Sequence, residues 1–245
     1  MNFLELLKRG NLIAAHRGAS SIAPENTLRA LRLSVGHADF IEIDVQLSSD
    51  GVAVVFHDDT LERTTNMDKV KSVAELSFDE LSKLDYGSWF DGKPEPVLTL
   101  KETLEFIKEK SLFLNIEIKN IHHFFNDEDV VKTVLDEVKR YGVETQVIIS
   151  SFREQYLPIC KKILPDIATA LLVYKNHPNN LIEYLKELKV DGYNMNNEMV
   201  DFNVVSKLKG TGFFIGVYTV DDKQRIEELF DIGVDAVFSN KLHKN

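Results

Sequence analysis

Strand-like and helical segments alternate along the whole chain, and this alternation limits most strongly how the chain can fold. Eight strand-like runs are present if residues 52–56 form a return ribbon beside the second run. Repeated strand–helix units in 245 residues predict an α/β fold, a closed (β/α)8 barrel of the TIM type. An open doubly wound sheet is the alternative, but the chain has no glycine-rich phosphate loop of the common types. The runs begin at Leu12, Phe40, Leu112, Gln146, Ile167, Gly192, Phe213 and Ala236.

The regular alternation is interrupted over residues 60–98. This stretch is too long for a simple βα loop. Within it, Ser77 and Glu80 have the spacing of a helix capping box. We therefore expect a small insertion after the second strand region, packed over one side of the barrel mouth. The prediction is a single barrel domain over residues 1–245 that contains this insertion.

Net charge and the distribution of apolar residues indicate which partners the protein can bind and where in the cell it is located. The net charge of −10 argues against a nucleic-acid partner, which would require a basic face. Glu5 interrupts the N-terminal apolar stretch where a signal peptide needs an unbroken core, and no apolar run approaches the roughly 20 residues of a membrane helix. The single cysteine, Cys160, fits a reducing compartment. We expect a cytoplasmic protein without stable membrane insertion, and the sequence does not indicate its oligomeric state.

Acidic side chains alternate with branched apolar ones in two of the predicted strands. Because a strand has a period of two residues, Glu42 and Asp44 share one face of the first, and Glu117 and Lys119 share one face of the second. Burying such acids costs several kcal/mol each unless a positive charge compensates. Hard divalent cations prefer carboxylate oxygens. The pattern therefore predicts one bound divalent metal ion, which could be Mg²⁺, Ca²⁺ or Mn²⁺.

Further polar residues fall where predicted strands end. His16 and Arg17 follow the first strand, and His57 and Asp58 follow residues 52–56. Because the carboxyl ends of barrel strands form the active-site face, we expect these side chains at the same mouth as the acids. Two histidines suit proton transfer near neutral pH, since the ordinary pKa of histidine is about 6.5.

In combination, these motifs resemble those of the glycerophosphodiester phosphodiesterases. The resemblance implies a (β/α)8 barrel that hydrolyses a small-molecule glycerophosphodiester to sn-glycerol 3-phosphate and an alcohol. The similar segments cover nearly the whole chain: His16-Arg17-Gly18, Pro24-Glu25-Asn26-Thr27, Glu42-x-Asp44, His57-Asp58, residues 61–65, Gly87-Ser88-Trp89-Phe90, Glu117-Ile118-Lys119 and Gly233-Val234-Asp235.

The resemblance also implies a role for each polar residue. With a phosphodiester bound, these side chains would carry a net charge of −2, which one divalent ion would neutralise; we therefore expect the metal to be required. The sequence leaves open which histidine is the acid, and whether water or the glycerol 2-hydroxyl is the nucleophile. The implied roles are metal binding for Glu42, Asp44 and Glu117, acid–base catalysis for His16 and His57, and phosphate binding for Arg17 and Lys119.

Two other candidate substrate residues have less definite readings. Pro24 and Glu25 are predicted to begin the first helix, whereas the resemblance places Glu25 near the phosphate.

Tyr218 stands where the family usually has the tryptophan of a Trp-Thr-Val-Asn motif, so an aromatic wall is kept. Asp221 replaces the asparagine of that motif, and residues 239–242, Ser-Asn-Lys-Leu, replace the usual Thr-Asp-x-Pro. We expect the new carboxylate to alter the alcohol and glycerol contacts more than the metal site.

The same residues are compatible with other functions. A lipid-active phosphodiesterase of the lysophospholipase D type is the alternative, and it should expose an apolar or basic rim. A glycosidase could use Glu42 and Glu117 as its acid pair and would remain active in a chelator. A Schiff base on Lys119 and a non-catalytic binding barrel are weaker alternatives.

Overall fold

The computed structural model describes residues 1–243 and forms the predicted closed barrel. Eight strands pair in parallel around a ring, in which the first strand contacts both the second and the last. The open-sheet alternative is therefore wrong. The strands are β1 (Leu12–Ala15), β2 (Phe40–Leu47), the antiparallel return strand β3 (Ala53–Val55), β4 (Leu114–Ile118), β5 (Val147–Ser151), β6 (Ala168–Val173), β7 (Gly192–Asn196), β8 (Phe214–Tyr218) and β9 (Ala236–Ser239).

Helices connect successive barrel strands. None in the described part of the chain is both long enough and apolar enough to span a bilayer. The helices are α1 (Phe3–Leu7), α2 (Leu28–Ser34), α3 (Phe78–Leu81), α4 (Ser88–Asp91), α5 (Leu100–Lys110), α6 (Asp127–Tyr141), α7 (Tyr156–Ile163), α8 (Leu181–Leu188), α9 (Phe202–Leu208) and α10 (Lys223–Ile232).

The predicted start of the helix after β1 is wrong. Helix α2 begins at Leu28, and the side chain of Thr27 caps it by accepting from the backbone N–H of Ala30. Asn26 has a φ of 57°, in the left-handed region, so a right-handed helix cannot run through it. Glu25 therefore lies in the loop, where its carboxylate is available to cations at the barrel mouth.

The two faces of the strands bury different partners. Ile43 on β2 and Ile116 on β4 point outward and pack with α5 and α6 in one large apolar cluster. The inward face is apolar in the lower half of the barrel, where helix α1 closes the bottom. There the ring of Phe3 contacts that of Phe40 edge to face, with centroids 5.2 Å apart. This apolar plug confines the polar inward residues to the upper half.

Strand β2 is longer than the other strands, and this length places a histidine. Its last residues extend past the barrel wall and pair with β3, which runs back towards the barrel. The backbone N–H of Phe56 then donates to the carbonyl of Asp44, so His57 arrives beside the acids of β2. The return ribbon predicted for residues 52–56 is therefore present, and His57 lies at the mouth as expected. The antiparallel ribbon places it there, rather than the rule for the carboxyl ends of parallel strands.

Residues 60–98 contain α3 and α4, and they form a small apolar cluster together with the end of the return ribbon. Phe56, Leu61, Leu81 and Tyr86 are buried in it. The predicted capping box is confirmed, because the Ser77 side chain accepts from the N–H of Glu80 while the Glu80 side chain accepts from the N–H of Ser77.

Truncating the outward face of β4 should destabilise the barrel. Ile116 is fully buried, so Ile116→Ala should reduce the free energy of unfolding by about 2–5 kcal/mol through lost burial and a residual cavity. Urea denaturation followed by far-UV circular dichroism measures this loss. Val70 is 76% exposed, and Val70→Ala is the control expected to change stability by less than about 0.5 kcal/mol. Equal effects of the two substitutions would contradict this packing.

Candidate active site

Three acids from two neighbouring strands meet at the mouth of the barrel. The register of β2 and β4 places Asp44 directly opposite Glu117, and Glu42 opposite Asn115. One oxygen from each of Glu42, Asp44 and Glu117 lies within 4.8 Å of the others. The three side chains are buried. The predicted convergence of these carboxylates is therefore present in the structure.

The charges of this trio are not compensated equally. Burial, followed by the charges of Asp44 and Glu117, raises the pKa of Glu42 well above its ordinary value. Burial also raises the pKa of Glu117, although Lys119 opposes this. The pKa of Asp44 is lowered instead, because the charges of Lys119 and Arg17 outweigh its burial. Three negative charges are thus costly to maintain here without a further cation.

The oxygen atoms of the trio fit a divalent metal ion. The backbone N–H of Arg17 donates to Glu42 Oε2 at 2.8 Å, and Asn26 Nδ2 donates to Asp44 Oδ2 at 2.9 Å. Asp44 Oδ1 and Glu117 Oε1 are buried and accept no hydrogen bond of good geometry. Lys119 Nζ contacts both, at 3.4 Å and 2.7 Å, but its single charge is shared between them. Buried carboxylate oxygens whose charge is only partly compensated are ligands that suit Mg²⁺ and Ca²⁺.

A second group of possible ligands lies nearby, at Glu25, His57 and Asp58. Its carboxylates are already paired, because the guanidinium of Arg63 forms ion pairs with both Glu25 and Asp58. Arg63 donates to both oxygens of each of these carboxylates, so none is left without a donor. The trio is therefore the better metal site.

Arg17 is held between two acids. Its Nε lies 3.3 Å from Asp44 Oδ2, and its Nη1 donates to Glu25 Oε1 at 2.8 Å. Its backbone φ of 57° lies in the left-handed region, which residues other than glycine adopt only at a cost in free energy. This backbone conformation turns both the N–H and the guanidinium of Arg17 towards the trio. Glu25 therefore orients Arg17 rather than opening a helix.

The two histidines have different partners. His16 Nδ1 lies 2.8 Å from Asn240 Oδ1, and its Nε2 lies 4.0 Å from Glu42 Oε2. Burial, assisted by the charge of Arg17, lowers the pKa of His16 to about 4. His57 Nδ1 lies 2.6 Å from Asp58 Oδ1, so a carboxylate supports this ring. Gln46 fixes that loop by donating to the carbonyls of Phe56 and Asp58.

A cavity of about 450 Å³ opens above these groups. His16, Arg17, Glu42, His57 and Glu117 line it, whereas Asp44, Lys119 and Glu25 are not among its lining residues. Its other side is aromatic. Tyr218 lines that wall as predicted, and its ring meets Phe152 edge to face with centroids 5.9 Å apart.

Several residues of the cavity were not predicted from the sequence. Ser150, Phe152 and Tyr174 line it, but no charge pattern distinguishes them. Only their positions could have indicated them. Ser150 and Phe152 are alternate residues at the carboxyl end of β5, and Tyr174 directly follows β6. Arg63 belongs to the motif at residues 61–65, but its two ion pairs depend on how the insertion folds, which the motif does not indicate.

Comparisons with known proteins identify relatives that match nearly the whole chain. The sequence profile described as "Glycerophosphoryl diester phosphodiesterase family" matches residues 16–244. A glycerophosphodiester phosphodiesterase of Caldanaerobacter subterraneus is 35% identical over 94% of this chain and 93% of its own length. One of Bacillus altitudinis is 34% identical over 93% of this chain and 94% of its own length.

The fold is also that of solved structures with similar sequences. A phosphodiesterase of Oleispira antarctica, in complex with the product sn-glycerol-3-phosphate, superimposes with a TM-score of 0.89 at 32% identity. The match covers 97% of this chain and 96% of that one. A glycerophosphodiester phosphodiesterase of Agrobacterium tumefaciens matches with a TM-score of 0.77 at 28% identity, over 94% and 96% of the two chains.

Removing one charge from the trio should stabilise the metal-free protein. Because the pKa of Glu42 is raised on folding, its contribution to stability is complete below about pH 4.5 and is lost as the pH rises through the raised pKa. In Glu42→Gln the side chain cannot ionise, so it adds no negative charge to the trio as the pH rises. In a chelator above neutral pH, we therefore expect the variant to have a higher free energy of unfolding than the original chain in urea denaturation.

Adding a divalent ion should reverse that order. Mg²⁺ or Ca²⁺ should raise the melting temperature of the original chain and have little effect on Glu42→Gln, because only the intact trio binds the ion well. The exposed Glu227 serves as control, since Glu227→Gln should behave as the original does. A metal-dependent rise that survives in Glu42→Gln would count against the trio as the metal site.

Proposed function

Because the chain belongs to the glycerophosphoryl diester phosphodiesterase family, we propose that it uses one divalent metal ion and two histidines for its reaction. The chain is a hydrolase of glycerophosphodiesters. The proposed products are sn-glycerol 3-phosphate and an alcohol, as the product bound to the Oleispira relative suggests. The observation that carries the proposal is the buried carboxylate trio beside Arg17 and two histidines. A cytoplasmic location and the single-domain organisation stay predictions.

Charge compensation defines the metal and phosphate sites. Glu42, Asp44 and Glu117 would hold the ion, which would withdraw negative charge from the phosphate oxygens. Arg17 lines the cavity and would donate to the same oxygens. Lys119 is not among the lining residues of the cavity and makes two contacts with the trio. Its role is therefore to hold the carboxylates in place rather than to contact the phosphate directly.

The different partners of the histidines assign the proton steps. His16 is buried beside a neutral amide, and its low pKa of about 4 keeps the ring uncharged at neutral pH. We assign His16 as the base that takes the proton from the nucleophile. His57 Nδ1 lies 2.6 Å from Asp58 Oδ1, and because an ionised carboxylate only accepts, this contact holds the ring with Nδ1 as a donor and Nε2 towards the cavity. His57 is therefore assigned as the acid that protonates the leaving alcohol.

Leaving-group chemistry can separate these two roles. His57→Ala should reduce turnover of glycerophosphocholine by about 10²–10⁴-fold. It should leave hydrolysis of glycerol phospho-p-nitrophenol nearly intact, because nitrophenolate leaves without a proton. His16→Ala should impair both substrates. The exposed His122 provides the control, and His122→Ala should be fully active. The reverse pattern would exchange the two roles, and normal activity of either variant would remove that residue from the mechanism.

A chelator should abolish the activity. The metal-free trio would repel an anionic phosphodiester, since Arg17 and Lys119 are already paired with carboxylates. We expect choline release from glycerophosphocholine to stop in EDTA and to return with Mg²⁺, Ca²⁺ or Mn²⁺, as measured by a coupled choline assay. Full activity in EDTA would contradict the proposal and would favour a glycosidase-like pair of acids.

A lipid-active phosphodiesterase is the second candidate, and the aromatic wall of the cavity favours it. Phe152 is 41% exposed and Tyr174 58% exposed where they line the opening, so an acyl chain could contact them. Even so, the net charge of −10 disfavours an anionic lipid surface. We expect kcat/KM for glycerophosphocholine to exceed that for lysophosphatidylcholine in paired assays. The opposite order would make the lipid the better substrate.

A further inference from the structure

We propose that Asp221 is a positioning residue that acts through Asn240 to fix which nitrogen of the His16 ring carries the proton. The inference rests on the proposed role of His16 as the base. Asp221 lies after β8, Asn240 after β9 and His16 after β1, so three neighbouring strand ends bring them together. Asp221 does not line the cavity and has no direct contact with the trio.

The hydrogen bonds of Asp221 determine how the Asn240 amide is oriented. Asp221 Oδ1 accepts from the backbone N–H of Asn240 at 2.7 Å and from the Ser239 hydroxyl at 2.9 Å. Asp221 Oδ2 accepts from Asn240 Nδ2 at 2.9 Å. An ionised carboxylate can only accept, so the NH₂ group of Asn240 must face Asp221. These hydrogen bonds hold the pKa of Asp221 below its ordinary value although burial opposes them, so it is ionised at neutral pH.

The orientation of the amide then determines the tautomer of the histidine. Asn240 Oδ1 lies 2.8 Å from His16 Nδ1, and an amide oxygen only accepts. His16 Nδ1 must therefore donate, which leaves the lone pair on Nε2. The Ser20 hydroxyl lies 3.1 Å from the same Oδ1 and can donate to it as well. His16 Nε2 faces Glu42 at the cavity, which is where a base needs its lone pair.

Asparagine alone would not achieve this selection. Its amide can turn by 180° and offer either an oxygen or an NH₂ group to the ring, so both tautomers could be accommodated. The carboxylate of Asp221 removes that choice.

Asp221→Asn should reverse the arrangement. With Oδ1 still accepting from the backbone of Asn240, the new NH₂ group would face the NH₂ group of Asn240. Turning the Asn240 amide relieves this clash and presents an NH₂ group to His16 Nδ1, so the ring must carry its proton on Nε2. We expect kcat for glycerophosphocholine to fall by about 10²-fold with little change in KM. We also expect the ring ¹⁵N correlations of His16 to change from the Nδ1–H to the Nε2–H tautomer.

Exchanging the two residues should restore the original state. In Asp221→Asn combined with Asn240→Asp, the amide would donate to the new carboxylate, whose other oxygen accepts from His16 Nδ1. The tautomer and most of kcat should return. Asn240→Asp alone should be impaired, because two carboxylates would face each other. Asp222→Asn is the matched control, since it removes a neighbouring charge but keeps a good cap for α10.

The NMR readout separates this proposal from the proposed function. Spectra of metal-free protein labelled with ¹⁵N-histidine need no turnover, and a His16→Gln sample identifies the His16 signals. An unchanged Nδ1–H tautomer in Asp221→Asn overturns the positioning role. A reversed tautomer with full activity supports positioning but overturns His16 as the base. Should Asp221→Asn fail to fold, the double exchange decides: retention of Nδ1–H supports the proposal, and its loss overturns it.

Discussion

The cost of burying three carboxylates side by side is the constraint on which the rest of the site depends. The register between β2 and β4 places Asp44 opposite Glu117, and the period of the strand adds Glu42 on the same face. The surrounding residues reduce the resulting repulsion without removing it. Arg17 and Lys119 supply two positive charges, and Asn26 supplies a donor. The remaining deficit is the physical reason to expect a divalent ion there.

The barrel keeps this charged region apart from its stabilising core. The outward strand faces pack against the helices, and the lower inward face is closed by the aromatic contacts of α1, so neither depends on the acids. The polar residues occupy the upper inward face, where the cavity opens. Because the apolar core and the charged site occupy different parts of the barrel, the metal-free site can destabilise the protein without unfolding it.

Much of the fold and of the trio could be predicted because both follow from periodicity. Alternating strands and helices indicated the barrel, and the alternation of acids with isoleucines indicated a shared face. Contacts that depend on loop geometry could not be predicted in this way. The sequence pattern predicts a helix that begins at Pro24 and Glu25, but the left-handed conformation of Asn26 is incompatible with a right-handed helix there. The link from Asp221 through Asn240 to His16 joins residues far apart in sequence, and no local pattern reveals it.

Anomalous diffraction from crystals soaked in Mn²⁺ tests the central claim most directly. The account predicts one strong peak at the barrel mouth, about 2.0–2.6 Å from an oxygen of each of Glu42, Asp44 and Glu117. A peak at Glu25, His57 and Asp58 instead, or no peak among the three acids at a saturating concentration of the ion, would contradict it.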